Sequence, residues 1–175
     1  DFLDQLGLPA FKIPSGELTN LPFIAHVARL GKPMLMSTGM ATLDEVRDAV
    51  ATVRGVANVP IGLFHCVTNY PAAAEDSNLR AMATMRSAFR VPTGFSDHSE
   101  GLAIALAAVA LGAELLEKHF TLDRTMPGPD HKASLEPHEL RGLVDGVRAI
   151  EASLGDGTKA PRPSEEALRG VARKS

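Results

Sequence analysis

Short apolar runs recur along the chain, and each closes on serine, threonine or histidine before a loop rich in glycine, proline or polar residues. They are F-K-I-P-S-G-E, P-M-L-M-S-T-G-M, I-G-L-F-H-C, T-G-F-S-D-H and E-L-L-E-K-H-F. Runs of this length bounded by turn residues read as buried strands. Segments with helical signals lie between them. D-F-L-D-Q-L-G reads as the last turns of a helix ended by Gly7. Asn20 and Pro22 open a helix over 21–30. Thr42, three residues before Glu45, makes a capping box for a helix over 43–54. E-D-S-N-L-R-A-M-A-T-M-R-S-A-F carries Leu79, Met82, Met85 and Phe89 at helical spacing. L-A-I-A-L-A-A-V-A-L-G makes one helix stopped by Gly112, and Pro137 to Leu154 makes the last, after a long loop from Thr121 to Leu135.

Strands alternating with helices at intervals of about 20 to 30 residues predict an α/β fold with a parallel sheet. In such a sheet the C-terminal strand ends form one face, which is the active-site face of a (β/α)₈ barrel. His98 and His119 stand at that place in consecutive units. Neighbouring parallel strands lie about 4.8 Å apart, so the two imidazoles are within reach of one metal ion. A barrel usually needs about 250 residues, and this chain has 175.

Composition removes several function classes. The 45% hydrophobic content belongs to a core-forming chain. A net charge of −3 gives no footprint for nucleic acid or an anionic membrane. Arg162, Arg169, Arg173 and Lys174 gather near the C-terminus, but Glu165 and Glu166 interrupt them, so they read as solvated surface. The longest apolar run, Leu102 to Ala113, is too short to span a bilayer and reads as a buried helix. The first residues lack a signal-peptide layout. A single cysteine, Cys66, allows no intrachain disulfide, and the expected compartment is the cytoplasm. Residues 1–154 read as barrel units and 155–175, opening G-D-G-T-K-A-P-R-P-S, as a linker. The chain looks cut at both ends.

The candidate chemistry falls into three groups. The histidines come first: His98 and His119 as metal ligands, with Asp97 and Glu117 orienting the rings. His65 is a weaker third ligand, and His26, His131 and His138 read as surface. Ser15, Ser37, Thr38 and Ser96, with Lys12, form a ring of donors suited to phosphate or carboxylate; ordinary turn chemistry is the alternative. Glu17 and Asp130 sit in loops where they can accept from substrate hydroxyls or remain solvated. Tyr70, the only tyrosine, either packs over a ligand or fills its loop.

Six motifs in order, K-I-P-S-G-E, S-T-G-M, H-C-V-T-N-Y-P, G-F-S-D-H, E-K-H-F-T-L-D and G-P-D-H-K-A-S-L-E-P, resemble the sialic acid synthases over nearly the whole chain. That family condenses phosphoenolpyruvate with an N-acylated mannosamine-type sugar. The resemblance implies a (β/α)₈ barrel, of which this chain supplies strands four to eight, followed by a small antifreeze-like domain, in a domain-swapped homodimer. It implies His98 and His119 as ligands of Mn²⁺, Mg²⁺ or Co²⁺, and those two with Glu17 as catalytic. Lys12, Ser15, Ser37 and Ser96 match contacts to phosphoenolpyruvate. Glu17, Tyr70, Thr68 and Asp130 match the acceptor-sugar side. Thr68 stands where some members carry Asn, and His131 follows G-P-D where the family varies. The implied activity is N-acetylneuraminate synthesis from phosphoenolpyruvate and N-acetylmannosamine. The alternatives are a legionaminic, pseudaminic or spore-coat sugar-acid synthase, or a non-catalytic partial barrel with unpaired edge strands.

Overall fold

In the computed structural model, which describes residues 1–173, the elements run α1 (Phe2–Gln5), β1 (Phe11–Ile13), α2 (Leu21–Ala28), β2 (Met34–Ser37), α3 (Leu43–Val56), β3 (Ile61–Cys66), α4 (Ala81–Phe89), β4 (Thr93–Asp97), α5 (Ala103–Ala110), β5 (Leu116–Lys118), α6 (Pro137–Leu154), α7 (Pro163–Glu166) and α8 (Arg169–Ala172). The strands form one parallel sheet in the order β1-β2-β3-β4-β5, so every neighbour in space is the neighbour in sequence. With a helix between consecutive strands, this is half of a (β/α)₈ barrel. Lys174 and Ser175, the end of the expected linker, lie outside the described residues.

Side chains alternate between the two faces of a strand, and here the faces differ sharply. The outer face carries Phe11, Ile13, Met34, Met36, Ile61 and Leu63, which pack with Ile24, Val27, Val46, Val50, Val53, Met85 and Phe89 of α2, α3 and α4 into the main core. Phe95 packs with Met82 and Ala108 in a smaller cluster, and Leu135 and Leu143 pack with Ala105 in a third. The concave face, one residue out of step, carries Lys12, Ser37, Gly62, Phe64, Cys66, Gly94, Ser96 and Glu117. A Cβ on Gly94 would lie 2.0 Å from the Leu115 carbonyl oxygen. Strands β4 and β5 therefore approach as closely as they do only because position 94 is bare.

Most helix starts fall where their signals stand. The Asn20 side chain accepts from the Phe23 N–H, and the Thr42–Glu45 capping box is fully made. Thr42→Ala should lower stability by about 1 kcal/mol, read as a shift in urea midpoint with unchanged slope. Helix α4 differs from expectation. It begins at Ala81 rather than near Glu75, because Asn78 adopts a positive φ of 39° and residues 74–76 form a separate 3₁₀ turn. Helix α5 is only partly buried, with Leu111 just after it 55% exposed. The linker contains the short turns α7 and α8, all solvent-exposed, the first capped by the Arg162 N–H bonding Glu165 at 2.7 Å.

Candidate active site

His98 and His119 each follow directly after the last residue of a strand, one step past the ladder that joins Asp97 to Lys118. Their rings lie edge to face with centroids 5.4 Å apart. Tyr70, from the loop after β3, covers both, at 4.2 Å from His98 and 5.4 Å from His119. Partial burial pushes the Tyr70 phenol above its usual range, helped by Cys66, Asp130 and Glu117 nearby.

The tautomer of His98 follows from its partners. Nδ1 lies 2.7 Å from the Val67 carbonyl, which can only accept, so Nδ1 carries the proton. Ser96 Oγ sits 3.3 Å from His98 Nε2 and 2.8 Å from Glu117 Oε1. The single hydroxyl proton belongs on the shorter bond to the carboxylate, which leaves the Nε2 lone pair free. Burial lowers the His98 pKa, opposed by the Val67 carbonyl and reinforced by His119, so the ring is neutral. A neutral imidazole with one nitrogen anchored and the other open is a competent metal ligand.

The groups expected to bind an anion lie on the same side of the sheet. Lys12 Nζ reaches across the concave face to Glu117 Oε1 at 3.1 Å. Ser37 Oγ is buried and, among the described residues, has no hydrogen-bond partner, an orphan donor on the same face. Ser15 Oγ accepts from the Gly39 N–H at 3.0 Å and lies 3.2 Å from Cys66 Sγ. A Cβ on Gly39 would stand 2.1 Å from Thr68 Oγ1 and 2.9 Å from Ser15 Oγ, so glycine lets these two loops close on each other. Glu17 is turned to Asn20, whose side-chain amide donates to it at 2.7 Å. Asp130 is exposed in the 121–135 loop, where its carbonyl accepts from Ser134 Oγ.

Several expectations need correcting. Asp97 does not orient a histidine ring: it points to the outer face, where it pairs with Lys118 at 2.8 Å. Glu117 orients no ring directly either and acts through Ser96 and Lys12. His65 also faces outward, with Nε2 2.9 Å from the Ser77 carbonyl and its ring against Phe95, so it is not a ligand beside His98. Thr38 leaves the donor ring as well, its hydroxyl bonding the Phe64 carbonyl at 2.9 Å. His131 is not simply surface: Nδ1 lies 2.7 Å from Thr121 Oγ1 and ties the two ends of the long loop together. His26 and His138 are exposed, as expected. The Val67 carbonyl and Cys66 also contribute to the site, and the H-C-V-T run at the end of β3 is their signal in the sequence.

Among the described residues the tight three-ligand cluster is Glu136, His138 and Glu139, at the start of α6. Glu139 there bonds Arg124 and the Glu136 N–H, and Glu136 accepts from the Arg124 N–H. These are capping and loop contacts.

Burial lowers the pKa of His65 too, so both buried rings resist protonation. The unfolded chain takes up those protons below about pH 6.5 while the folded one does not, so stability falls as pH drops through and below that value. His65→Gln should lose less stability than the wild type between pH 7.5 and 5.5, measured by urea unfolding at both.

The sequence and fold have known counterparts. The chain is 50% identical to the N,N'-diacetyllegionaminic acid synthase of Campylobacter jejuni subsp. jejuni, over all of this chain and 53% of that protein. It is 45% identical to the same-named enzyme of Legionella pneumophila, over all of this chain and 50% of that protein. It thus spans about half the length of these curated relatives. The crystal structure of N-acetylneuraminic acid (sialic acid) synthetase from Leptospira borgpetersenii superposes with a TM-score of 0.87 at 38% identity, covering 99% of this chain and 61% of that one. The NeuB family model matches residues 1–159, which hold every strand and every residue of the site, and the chain belongs to the NeuB family.

Proposed function

We propose that the protein carrying this chain condenses phosphoenolpyruvate with an N-acylated mannosamine-type sugar, giving a nine-carbon 2-keto sugar acid and phosphate. The observation that carries the reading is the convergence of Lys12, Ser96, Glu117, His98, His119 and Tyr70 on one concave face at the strand ends.

His98 and His119 would hold a divalent ion, Mn²⁺ first, with Mg²⁺ or Co²⁺ as substitutes. The neutral, anchored His98 with its open Nε2 fits that role. When bound, such an ion supplies Lewis acidity toward the aldehyde oxygen of the open-chain sugar. The chain's own groups do the rest. Lys12, Ser15, Ser37 and Ser96 bind the phosphate and carboxylate of phosphoenolpyruvate, and the orphan hydroxyl of Ser37 has a donor to give. Tyr70, Thr68, Asp130 and Glu17 position the sugar so that C3 of the enol phosphate attacks its C1 carbon. Water adds at C2, and the tetrahedral product loses phosphate. The Lys12–Glu117 contact means that an arriving anion must share Lys12 with a carboxylate already there.

The second reading concerns the acceptor. Identity to two N,N'-diacetyllegionaminic acid synthases favours a sugar bearing two acetamido groups over N-acetylmannosamine. Phosphate release from phosphoenolpyruvate with each acceptor decides between them. Release with N-acetylmannosamine alone supports N-acetylneuraminate synthesis, release with the diacetamido sugar alone supports the legionaminic type, and release with neither overturns condensation. No helix among the described residues is long and apolar enough to cross a membrane. The proposed compartment is the cytoplasm, on the strength of the unpaired Cys66. The proposed assembly is a domain-swapped homodimer with an antifreeze-like domain after the barrel; an intact mass of the native polypeptide near twice that of this chain, and an oligomer mass twice that again, would bear it out.

A further inference from the structure

The two histidines sit where the sheet has already ended. The last rung between β4 and β5 pairs Asp97 with Lys118. Beyond it the two backbones part: the His98 carbonyl accepts from the Ala72 N–H at 3.0 Å, and the His119 carbonyl from the Leu135 N–H at 2.9 Å. The β4–β5 ladder thus ends one residue short of both rings.

A side-chain clamp on the opposite face of the sheet continues where the ladder stops. Lys118 Nζ donates to Asp97 Oδ2 at 2.8 Å and also to the Ser99 carbonyl. It therefore grips both residues that flank His98, from the residue that precedes His119. Asp97 Oδ1 accepts from the Ser99 N–H at 2.9 Å and the Ser99 hydroxyl at 2.7 Å, closing the turn around His98 from below. The pair is buried almost completely, with side-chain exposures of 3% and 0%.

Burial on this scale makes the pair an expensive choice if stability were its only role. Desolvating two charges offsets much of their attraction, and apolar residues of similar volume would often do as well. What an apolar pair lacks is direction. An ammonium held by a carboxylate and a carbonyl fixes the position of one strand end against the other.

We propose that Asp97 and Lys118 are positioning residues that set the separation of His98 and His119, and through it the affinity of the site for its divalent ion. This rests on the reading of the two histidines as ligands. Because the clamp lies on the outer face, it acts on ligand spacing without touching substrate.

The test uses the whole protein and Mn²⁺ alone, with free ion followed by electron paramagnetic resonance. His98→Ala is the control for the underlying reading: unchanged Mn²⁺ affinity there would remove the ligand assignment itself. The decisive variant is Asp97→Asn with Lys118→Met, which leaves no unpaired buried charge. Its expected result is Mn²⁺ affinity lower by about tenfold or more, with lowered kcat at fixed Mn²⁺ and an unchanged KM for phosphoenolpyruvate. Lys118→Arg, which keeps the charge and the donors, should recover most of the affinity. If the double variant is too unstable to purify, Ser99→Ala takes its place. It removes one bond to Asp97 and should weaken Mn²⁺ binding by a smaller, measurable factor. Wild-type Mn²⁺ affinity in a folded double variant, or in Ser99→Ala where that replaces it, overturns the proposal and leaves the pair a packing feature.

Discussion

Replacing His98 by alanine is expected to abolish Mn²⁺ binding and condensation together. The ring offers one free nitrogen because the other is fixed on the Val67 carbonyl, and the imidazole beside it is His119. His65 cannot substitute, since it points to the other side of the sheet. Lewis-acid stabilisation of several kcal/mol corresponds to a rate loss on the order of a thousandfold. His119→Ala should behave alike, and the double variant should be scarcely worse than either, because one site is lost once. Metal titration and phosphate release measured on the same preparations check this. A variant that binds Mn²⁺ normally yet is inactive would place the histidines in another role.

Gly94→Ala is expected to be the most damaging of the simple glycine substitutions. Its methyl would meet the Leu115 carbonyl oxygen at 2.0 Å and the Leu115 Cβ at 2.6 Å. Backbone cannot rotate aside as a side chain can. Strand β5 would have to move away from β4, straining the Phe95 N–H to Leu115 carbonyl bond and the Glu114 N–H to Thr93 carbonyl bond. The cost should reach about 3 kcal/mol or more, at or beyond the upper end of ordinary overpacking. Because β4 and β5 carry His98 and His119, Mn²⁺ affinity should fall with stability. Gly55→Ala is the control: it lies on α3 with open space around it and should be neutral or stabilising by up to about 1 kcal/mol. Urea unfolding of the two variants side by side reads the contrast.

The helices and strands were legible because local signals agreed with the fold. Asn20, the Thr42–Glu45 pair and Pro137 each mark a helix start that the structure keeps. Helix α4 starts later than its spacing suggests because Leu79, ahead of the helix, packs in the same cluster as Met82, while the positive φ at Asn78 that delays its start leaves no trace in hydrophobic spacing. The histidine pair was legible from position alone, since the residue that ends a strand in a parallel sheet stands at the sheet's C-terminal face. The roles assigned to Asp97 and His65 failed for one shared reason. A one-residue step along a strand moves a side chain to the other face, and which face is concave depends on the helices that cover the opposite one.

Order along the chain thus determined the alternation of strands and helices, the parallel sheet, and the placing of His98 and His119 at neighbouring strand ends. Those follow from local propensity, capping and apolar spacing, which act over a few residues. Only the tertiary structure decided that Lys12 reaches Glu117 across the sheet and that Val67 fixes the His98 tautomer. It alone buried the Lys118–Asp97 pair behind the histidines. These contacts join residues far apart in sequence, and their partners are chosen by strand register and by the curvature of the sheet, which no local pattern encodes.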